Sequence, residues 1–383
     1  MVVSTIAAAL LAASAVSNAH AAPDDPDQVA LRQALHELVA AGAAGVQVRV
    51  HDNEGNRVLT AGTARLGTFD PVPADARFRI GSITKTFVAT VVLQLVAEAR
   101  LRLDDPVDQY LPQFGLDRRI TVRTILDHTS GLRNAGGQPG PRGESAPSMF
   151  GTDPMQTYQP EDMVRFAAGQ PLWFEPGTDW YYSNTNYILA GLLIETVTGT
   201  PYSRQLQQRI IEPLGLSSTS LPGISPEIPG PHTTGYRTAK FLGIPLPIDV
   251  TALNPSFAGA AGEIISTTAD LDAFSTALWS GELLPPALLA QMRTVRPIAA
   301  RFGVERGYGL GLMELTAGGC AGIGNSGDIP GFHSEMYSTA DGSRRVAVSV
   351  NQGMVDNDDP VAFSRYMSAA YRVALVGLCG GAP

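Results

Sequence analysis

Apolar and polar residues alternate near both ends of this chain and fall at helical spacing between them. Val46, Val48 and Val50 alternate with polar neighbours, Asp52-Asn53-Glu54-Gly55 reads as a turn, and 57–61 returns as a second strand. Before them, Leu31, Leu35 and Leu38 share one side of a helix over 29–39. A further extended piece spans 77–80, and strands return at 308–315, at 333–338 and at the alternating Val346, Val348 and Val350. A helix over 361–376 closes the chain. The middle reads as helices over 121–127, 160–168, 187–197, 203–211 and 268–279. Two stretches rich in Gly and Pro, 133–158 and 221–256, are long loops of the kind that shape substrate clefts. Strands at both ends around a helical middle imply one sheet assembled from distant segments.

The helix over 82–101 differs from the others. Its polar residues Thr86, Thr90, Gln94 and Glu98 fall four apart and leave only a narrow polar stripe, so the helix is expected to be largely buried. At its head stands Gly81-Ser82-Ile83-Thr84-Lys85. Positions three apart on a helix share a face, so the Lys85 amine can reach the Ser82 hydroxyl. A serine is a poor nucleophile until a base takes its proton, and a lysine in a dry site, with a depressed pKa, is one such base. The bland alternative is a helix-capping serine beside a solvated lysine.

Composition narrows the classes. Of 383 residues, 44% are hydrophobic and 16% charged, which supports a substantial core and excludes global disorder. The net charge of −9, without a basic stripe, argues against nucleic acid as the main partner. Residues 1–21 read as an export signal: an apolar run over 6–16 precedes Ala19-His20-Ala21, although no Lys or Arg precedes the run. Cleavage after about Ala21 would leave 22–383 as a single catalytic domain, secreted and without a membrane anchor, since no later stretch reaches about 18 uninterrupted apolar residues. Cys320 and Cys379, an even pair in an exported chain, favour a disulfide; two buried free thiols are the alternative. Two thiols without neighbouring histidines cannot complete a metal shell, and no metal or cofactor is expected.

Downstream lie Tyr182-Ser183-Asn184 and then Gly324-Asn325-Ser326-Gly327-Asp328. The order S-x-x-K, Y-x-N and a small-residue strand resembles the serine penicillin-recognising hydrolases: class C β-lactamases, secreted D-alanyl-D-alanine carboxypeptidases and related esterases. His128-Thr129-Ser130-Gly131-Leu132 resembles that family's H-T-S-G-L loop, Pro213-Leu214-Gly215-Leu216 its P-L-G-M turn, and 262–270 its stretch ending S-T-x-x-D. The resemblance covers most of the chain after the export signal. It implies a β-lactamase/transpeptidase-like α/β (α+β) fold. An antiparallel sheet would come from about 22–85 and 296–383, and a large helical part from about 86–295.

The resemblance also implies roles. Ser82 would carry the acyl group, Lys85 would take its proton, and Tyr182 would shuttle protons to the leaving group and the incoming water. Asn184 would position Lys85 and bind the substrate amide. The backbone N–H groups of Ser82 and Asp328 would form the oxyanion hole, and Asn325, Ser326 and Gly327 would line the substrate strand. Tyr181 is the alternative tyrosine, but only Tyr182 has Asn two places later. His128 is read as a loop residue that hydrogen-bonds backbone. Where the family carries His or Lys, this chain has Asn325, which can donate a hydrogen bond but bears no charge. The first expectation is a secreted D-alanyl-D-alanine carboxypeptidase acting on peptidoglycan stem peptides, a placement that the late Cys320/Cys379 pair also supports. The second is an esterase or class C-like β-lactamase, with a peptide, an ester or a β-lactam as small-molecule substrate. A non-catalytic β-lactam or cell-wall-binding protein is the third.

Overall fold

The computed structural model describes residues 25–242, 244–355 and 359–381. The proposed export signal over 1–21 lies outside the described residues. Strands are β1 (Ala43–Asp52), β2 (Gly55–Gly62), the short β3 (Phe78–Arg79), β4 (Tyr236–Phe241), β5 (Ile244–Asp249), the short β6 (Ile265–Ser266), β7 (Arg296–Arg301), β8 (Val304–Tyr308), β9 (Met313–Ala317), β10 (Cys320–Ile329), β11 (Phe332–Ser338) and β12 (Arg345–Gln352). One antiparallel sheet runs in the order β2-β1-β12-β11-β10-β9-β8-β7, so the two ends of the chain meet at β1 and β12. Val46, Val48 and Val50 pair with Val350, Val348 and Val346. All six are buried on one face, each contributing about 1.5 kcal/mol or more. Period-two alternation on both strands leaves a single register that buries all six.

Helices are α1 (Pro26–Ala40), α2 (Thr84–Ala97), α3 (Val122–Leu126), α4 (Pro160–Ala168), α5 (Asn184–Thr198), α6 (Tyr202–Leu206), α7 (Thr268–Trp279), α8 (Pro286–Arg293) and α9 (Pro360–Cys379). The valine face packs under α1 and α9. The larger core lies on the other side, where α2, α5 and α7 meet. Local chemistry starts these helices where it should: Thr121 and Thr124 form a capping box on α3, and Asp359 caps α9 ahead of Pro360. A disulfide joins Cys320, at the start of β10, to Cys379, at the end of α9, with 6.0 Å between Cα atoms.

Three expectations are corrected. Residues 221–256 are not all loop, because β4 and β5 form a hairpin there. Pro245 and Pro247 hid it: proline cannot donate to a ladder, yet β5 has no partner besides β4, so its other edge needs no donor. The strand over 308–315 is broken between β8 and β9 by a tight turn in which the Gly309 N–H donates to the Leu312 carbonyl, 2.8 Å. The helix over 82–101 opens as a 3₁₀ turn, Gly81–Ile83, and becomes α-helical only at Thr84. The first three residues of its polar stripe bond within the protein, while Glu98, past the helix end at Ala97, is exposed and pairs with Arg209. Thr86 Oγ1 donates to the Gly311 carbonyl at 2.8 Å, Thr90 Oγ1 to the Thr86 carbonyl at 2.8 Å, and Gln94 Nε2 to the Leu283 carbonyl at 3.1 Å.

Candidate active site

Ser82 sits in the 3₁₀ turn and Lys85 in the first turn of α2, and Lys85 Nζ lies 2.9 Å from Ser82 Oγ. The lysine is fully buried, with no carboxylate in contact. Its other two partners are carbonyl oxygens, Asn184 Oδ1 at 2.8 Å and the Ala261 backbone carbonyl at 2.7 Å. Burial drives the Lys85 pKa well below the ordinary lysine range. A neutral amine has two N–H donors and one lone pair. Both carbonyls can only accept, so they consume the two donors and leave the lone pair facing Ser82. The serine proton therefore points at a base. Once protonated, the ammonium would lie 4.8 Å from the Tyr182 ring centre and 5.6 Å from that of Tyr187, within cation–π range.

Tyr182 Oη donates to Ser82 Oγ at 2.6 Å. Burial pushes its phenol well above the usual range, so the hydroxyl keeps its proton and is placed as a donor. The choice between the two tyrosines is settled by geometry, since Tyr181 Oη donates to the Gln138 carbonyl at 3.0 Å and away from Ser82. Asn184 stands at the first position of α5, which aims its side chain back at Lys85.

His128 supports this segment from outside the chemistry. Its Nδ1 accepts from the Ser183 N–H at 3.3 Å and from Asn186 Nδ2 at 3.0 Å, and its carbonyl accepts from the Tyr181 N–H at 3.1 Å. Burial pushes its pKa down, so the ring is neutral and fixed as an acceptor at Nδ1. It makes no contact with Ser82.

β10 brings the second half of the site. Its pairing with β9 ends at Gly324, leaving the rest of that edge unpaired. On the other edge a two-residue turn, Pro330-Gly331, closes the hairpin with β11 at the Ile329–Phe332 pair. Hydrogen-bonded pairs alternate along an antiparallel ladder, so Asp328, one place back, directs its N–H outward. What it meets is Gly81. A Cβ on Gly81 would lie 2.8 Å from both the nitrogen and the carbonyl oxygen of Asp328, and a Cβ on Gly327 would lie 1.9 Å from the Ile80 carbonyl oxygen and 2.8 Å from the Ser82 nitrogen. Two glycines without side chains let the strand and the turn touch, with the Asp328 nitrogen close to Gly81 and the Ser82 nitrogen close to Gly327. Gly327 thus acts through its missing side chain.

Asn325 corrects an expectation. It borders the cavity but is buried, and its Nδ2 donates to Thr86 Oγ1 and to the Gly311 carbonyl, both at 3.2 Å, while Oδ1 accepts from the Ser326 N–H at 3.0 Å. Its donors are consumed within the protein, so the amide braces β10 against α2 and has none left for a substrate. Ser326 borders the same cavity.

Two residues escaped the sequence reading as site components: His333 and Glu335. His333 Nδ1 meets Asp328 Oδ1 at 2.8 Å, and its Nε2 meets Glu335 Oε1 at 2.6 Å. A signal existed. The short Pro330-Gly331 turn sets Asp328 across from His333, and Glu335 lies two residues further along the same face. The surrounding cavity, about 660 Å³, is bordered by Ser82, Tyr182, Asn184, Ser326 and Asp328 on one side and by Arg301 and Arg306 on another. Among the described residues no cluster of His, Cys, Asp and Glu could hold a metal, and no helix is long and apolar enough to cross a membrane.

A serine hydroxyl in contact with both a buried amine and a phenol is the arrangement of a serine acyl-transfer site. The family model described as Beta-lactamase matches residues 31–370, and the chain belongs to that family, the serine penicillin-recognising hydrolases. Among solved structures it is similar to a D-stereospecific amidohydrolase from Streptomyces sp., 37% identical, covering 93% of this chain and 100% of that one with a TM-score of 0.78. Among curated proteins it is similar to the putative penicillin-binding protein PbpX of Bacillus subtilis, 28% identical over 67% of this chain and 57% of that protein. Esterase EstB of Burkholderia gladioli is 32% identical over 51% of this chain and 50% of its own length. The chain thus spans little more than half the length of these curated relatives.

Proposed function

We propose that this protein hydrolyses amides of D-amino acids through an acyl-Ser82 intermediate. The observation that carries the reading is Ser82 Oγ set at once 2.9 Å from Lys85 Nζ and 2.6 Å from Tyr182 Oη. In this reading Ser82 Oγ adds to the substrate carbonyl as its proton passes to Lys85 Nζ, and the oxyanion meets the Ser82 and Asp328 N–H groups. Tyr182 delivers a proton to the departing amine, and the C–N bond breaks. The Lys85 ammonium then returns a proton to Tyr182. Water attacks the ester carbonyl, giving up a proton to Lys85 and Tyr182, which pass it to Ser82 Oγ as the ester C–O bond breaks and the acid leaves. Asn184 holds Lys85 and borders the acyl side of the cavity. Amide and water become acid and amine, with no cofactor.

D-configuration draws its support from the Streptomyces amidohydrolase, which is similar over nearly the whole of both chains. The expected D-alanyl-D-alanine carboxypeptidase is a second reading, favoured by Arg301 and Arg306 on the cavity wall, two cations able to meet a substrate carboxylate. Export after about Ala21 belongs to the same proposal, and the N-terminal sequence of protein recovered from culture medium tests it.

A panel of D- and L-phenylalanine amide, a diacyl-Lys-D-Ala-D-Ala peptide, a chromogenic cephalosporin and nitrophenyl esters ranks the readings. D-amide turnover together with an acyl adduct on Ser82 by mass spectrometry is expected. Absence of any adduct on Ser82 with every substrate would sink the acyl-enzyme reading, and turnover of the D-Ala-D-Ala peptide alone would favour the carboxypeptidase.

A further inference from the structure

Asp328 has a backbone role beside Ser82, yet its side chain is the stranger feature. It stands 59% exposed in the cavity wall, while the two groups behind it, His333 and Glu335, are fully buried. His333 bridges the two carboxylates, and Glu335 Oε2 has no hydrogen-bond partner among the described residues. Burying an imidazole and a carboxylate is costly where apolar residues would pack as well. The hairpin does not need them, since the Pro330-Gly331 turn and the Ile329–Phe332 pair already close it. Burial lowers the His333 pKa, but Asp328 and then Glu335 outweigh it and raise the value to about 10. The imidazolium persists at neutral pH and pins Asp328 Oδ1. Oδ2 has no protein partner among the described residues and is free to meet a ligand.

The position of the carboxylate says which part of a substrate it meets. Asp328 and Ser326 share one face of β10, the face that carries His333 and Glu335 across the ladder. Asp328 and the Tyr182 phenol border the same cavity together with Ser82. Tyr182 is the proton carrier to the departing amine, which places Asp328 on the leaving-group flank. The competing cations sit farther off. Arg306 is on β8 and Arg301 on β7, with β9 between them and β10, and strands lie about 4.8 Å apart. Arg306 also spends Nε and Nη2 on the Ala299 carbonyl, and the Arg301 guanidinium lies over the Phe302 ring.

We infer that Asp328, clamped from behind by His333 and Glu335, selects substrates by the charge of the leaving group. It favours amides whose departing amine is neutral or cationic and disfavours those whose departing part carries a carboxylate. The inference rests on the acyl-Ser82 reading above and names the substrate class of that same site. Asp328 is the specificity-determining group, and His333 and Glu335 position it.

Three N-acetyl-D-alanyl amides of similar size test this: the propylamide (neutral leaving group), the mono-amide of ethylenediamine (cationic) and the glycine adduct (anionic). At low ionic strength kcat/KM should fall from cationic to anionic by about tenfold or more. Asp328→Asn should compress that ratio toward one, whatever its effect on absolute rates. His333→Gln should compress it too, through a higher KM for the cationic substrate with kcat less affected, a split that a general loss of packing does not produce. If His333→Gln fails to fold, the exposed Asp328→Asn decides alone. Equal or preferred turnover of the glycine adduct by the wild type, with the propylamide also turned over, overturns the inference and transfers charge selection to Arg301 and Arg306. No turnover of any amide and no acyl-Ser82 overturns the acyl-serine reading itself, and this inference with it.

Discussion

Replacing Gly327 by alanine tests whether β10 and the Ser82 turn must touch for catalysis. The added Cβ would lie 1.9 Å from the Ile80 carbonyl oxygen, 2.8 Å from Ser334 Oγ and 2.8 Å from the Ser82 nitrogen. Real Cβ contacts stay beyond 3.0 Å, so the strand must retreat by about 1 Å. The Ile80 carbonyl cannot swing aside freely, because it already accepts from Ser334 Oγ at 2.9 Å. An oxyanion donor works only within about 2.7–3.1 Å of the developing charge. A retreat of this size takes the Asp328 N–H out of range, and loss of one such donor lowers the rate about 10²–10³-fold, or about 2.7–4 kcal/mol. Overpacking should cost a further ~1–3 kcal/mol of stability. Burst kinetics with a D-aminoacyl nitrophenyl ester report acylation directly, and thermal unfolding confirms that the variant is folded. A folded Gly327→Ala enzyme that acylates within about threefold of wild type would refute the oxyanion arrangement.

Other consequences follow from the same geometry. Tyr182→Phe should lower amide turnover by about 10²-fold or more but nitrophenyl ester turnover far less, because nitrophenolate departs without a proton; equal losses in kcat/KM would contradict the leaving-group role. The unfolded chain protonates Lys85 where the folded chain does not, so stability owed to this group rises with pH. The unfolding free energy of wild type minus that of Lys85→Met should therefore grow by up to about 1.4 kcal/mol per pH unit between about pH 7 and 9; a flat difference in urea titrations would show a charged amine. His333 works with the opposite sign. Its raised pKa contributes stability that is complete below about pH 6.5 and lost toward about pH 10, so wild type minus His333→Gln should shrink across that window. Replacing Cys320 and Cys379 by serine opens a link between residues 59 apart and should cost about 2–4 kcal/mol in denaturant titration. Ester turnover under native conditions should remain, since the bridge lies at the far end of β10 from Asp328.

Much of the candidate site was legible because its signals are local. Ser82 and Lys85 are three residues apart on one helical face, and Tyr182 precedes Asn184 by a fixed step, so residue spacing and family resemblance were enough to name them. The strands at both ends were legible for the same reason, since alternating valines can bury one face in only one way. Asn325 was not. Its type showed that a charge was missing, but nothing in the sequence showed that Thr86 and Gly311 would absorb its amide, because both contacts join segments distant in the chain. The β4–β5 hairpin was hidden by prolines that an unpaired edge tolerates. His333 was visible as a residue but not as a partner of Asp328 and Glu335, since that needs the turn length and the facing of two strands together.

The order of motifs along the chain by itself determined the family and named a candidate nucleophile and base, because chemistry of that kind depends on residue type and short spacing. Only the tertiary structure decided the rest. The Lys85 pKa is pushed down because a whole core closes over it and offers two carbonyls but no carboxylate. The Ser82 turn and β10 touch at Asp328 because Gly81 and Gly327 leave room where two distant segments cross. Asp328 is held in the cavity wall because β11 sets His333 behind it. Burial, close approach and charge compensation are properties of packed neighbours, and neighbours in space are what a linear order of residues leaves open.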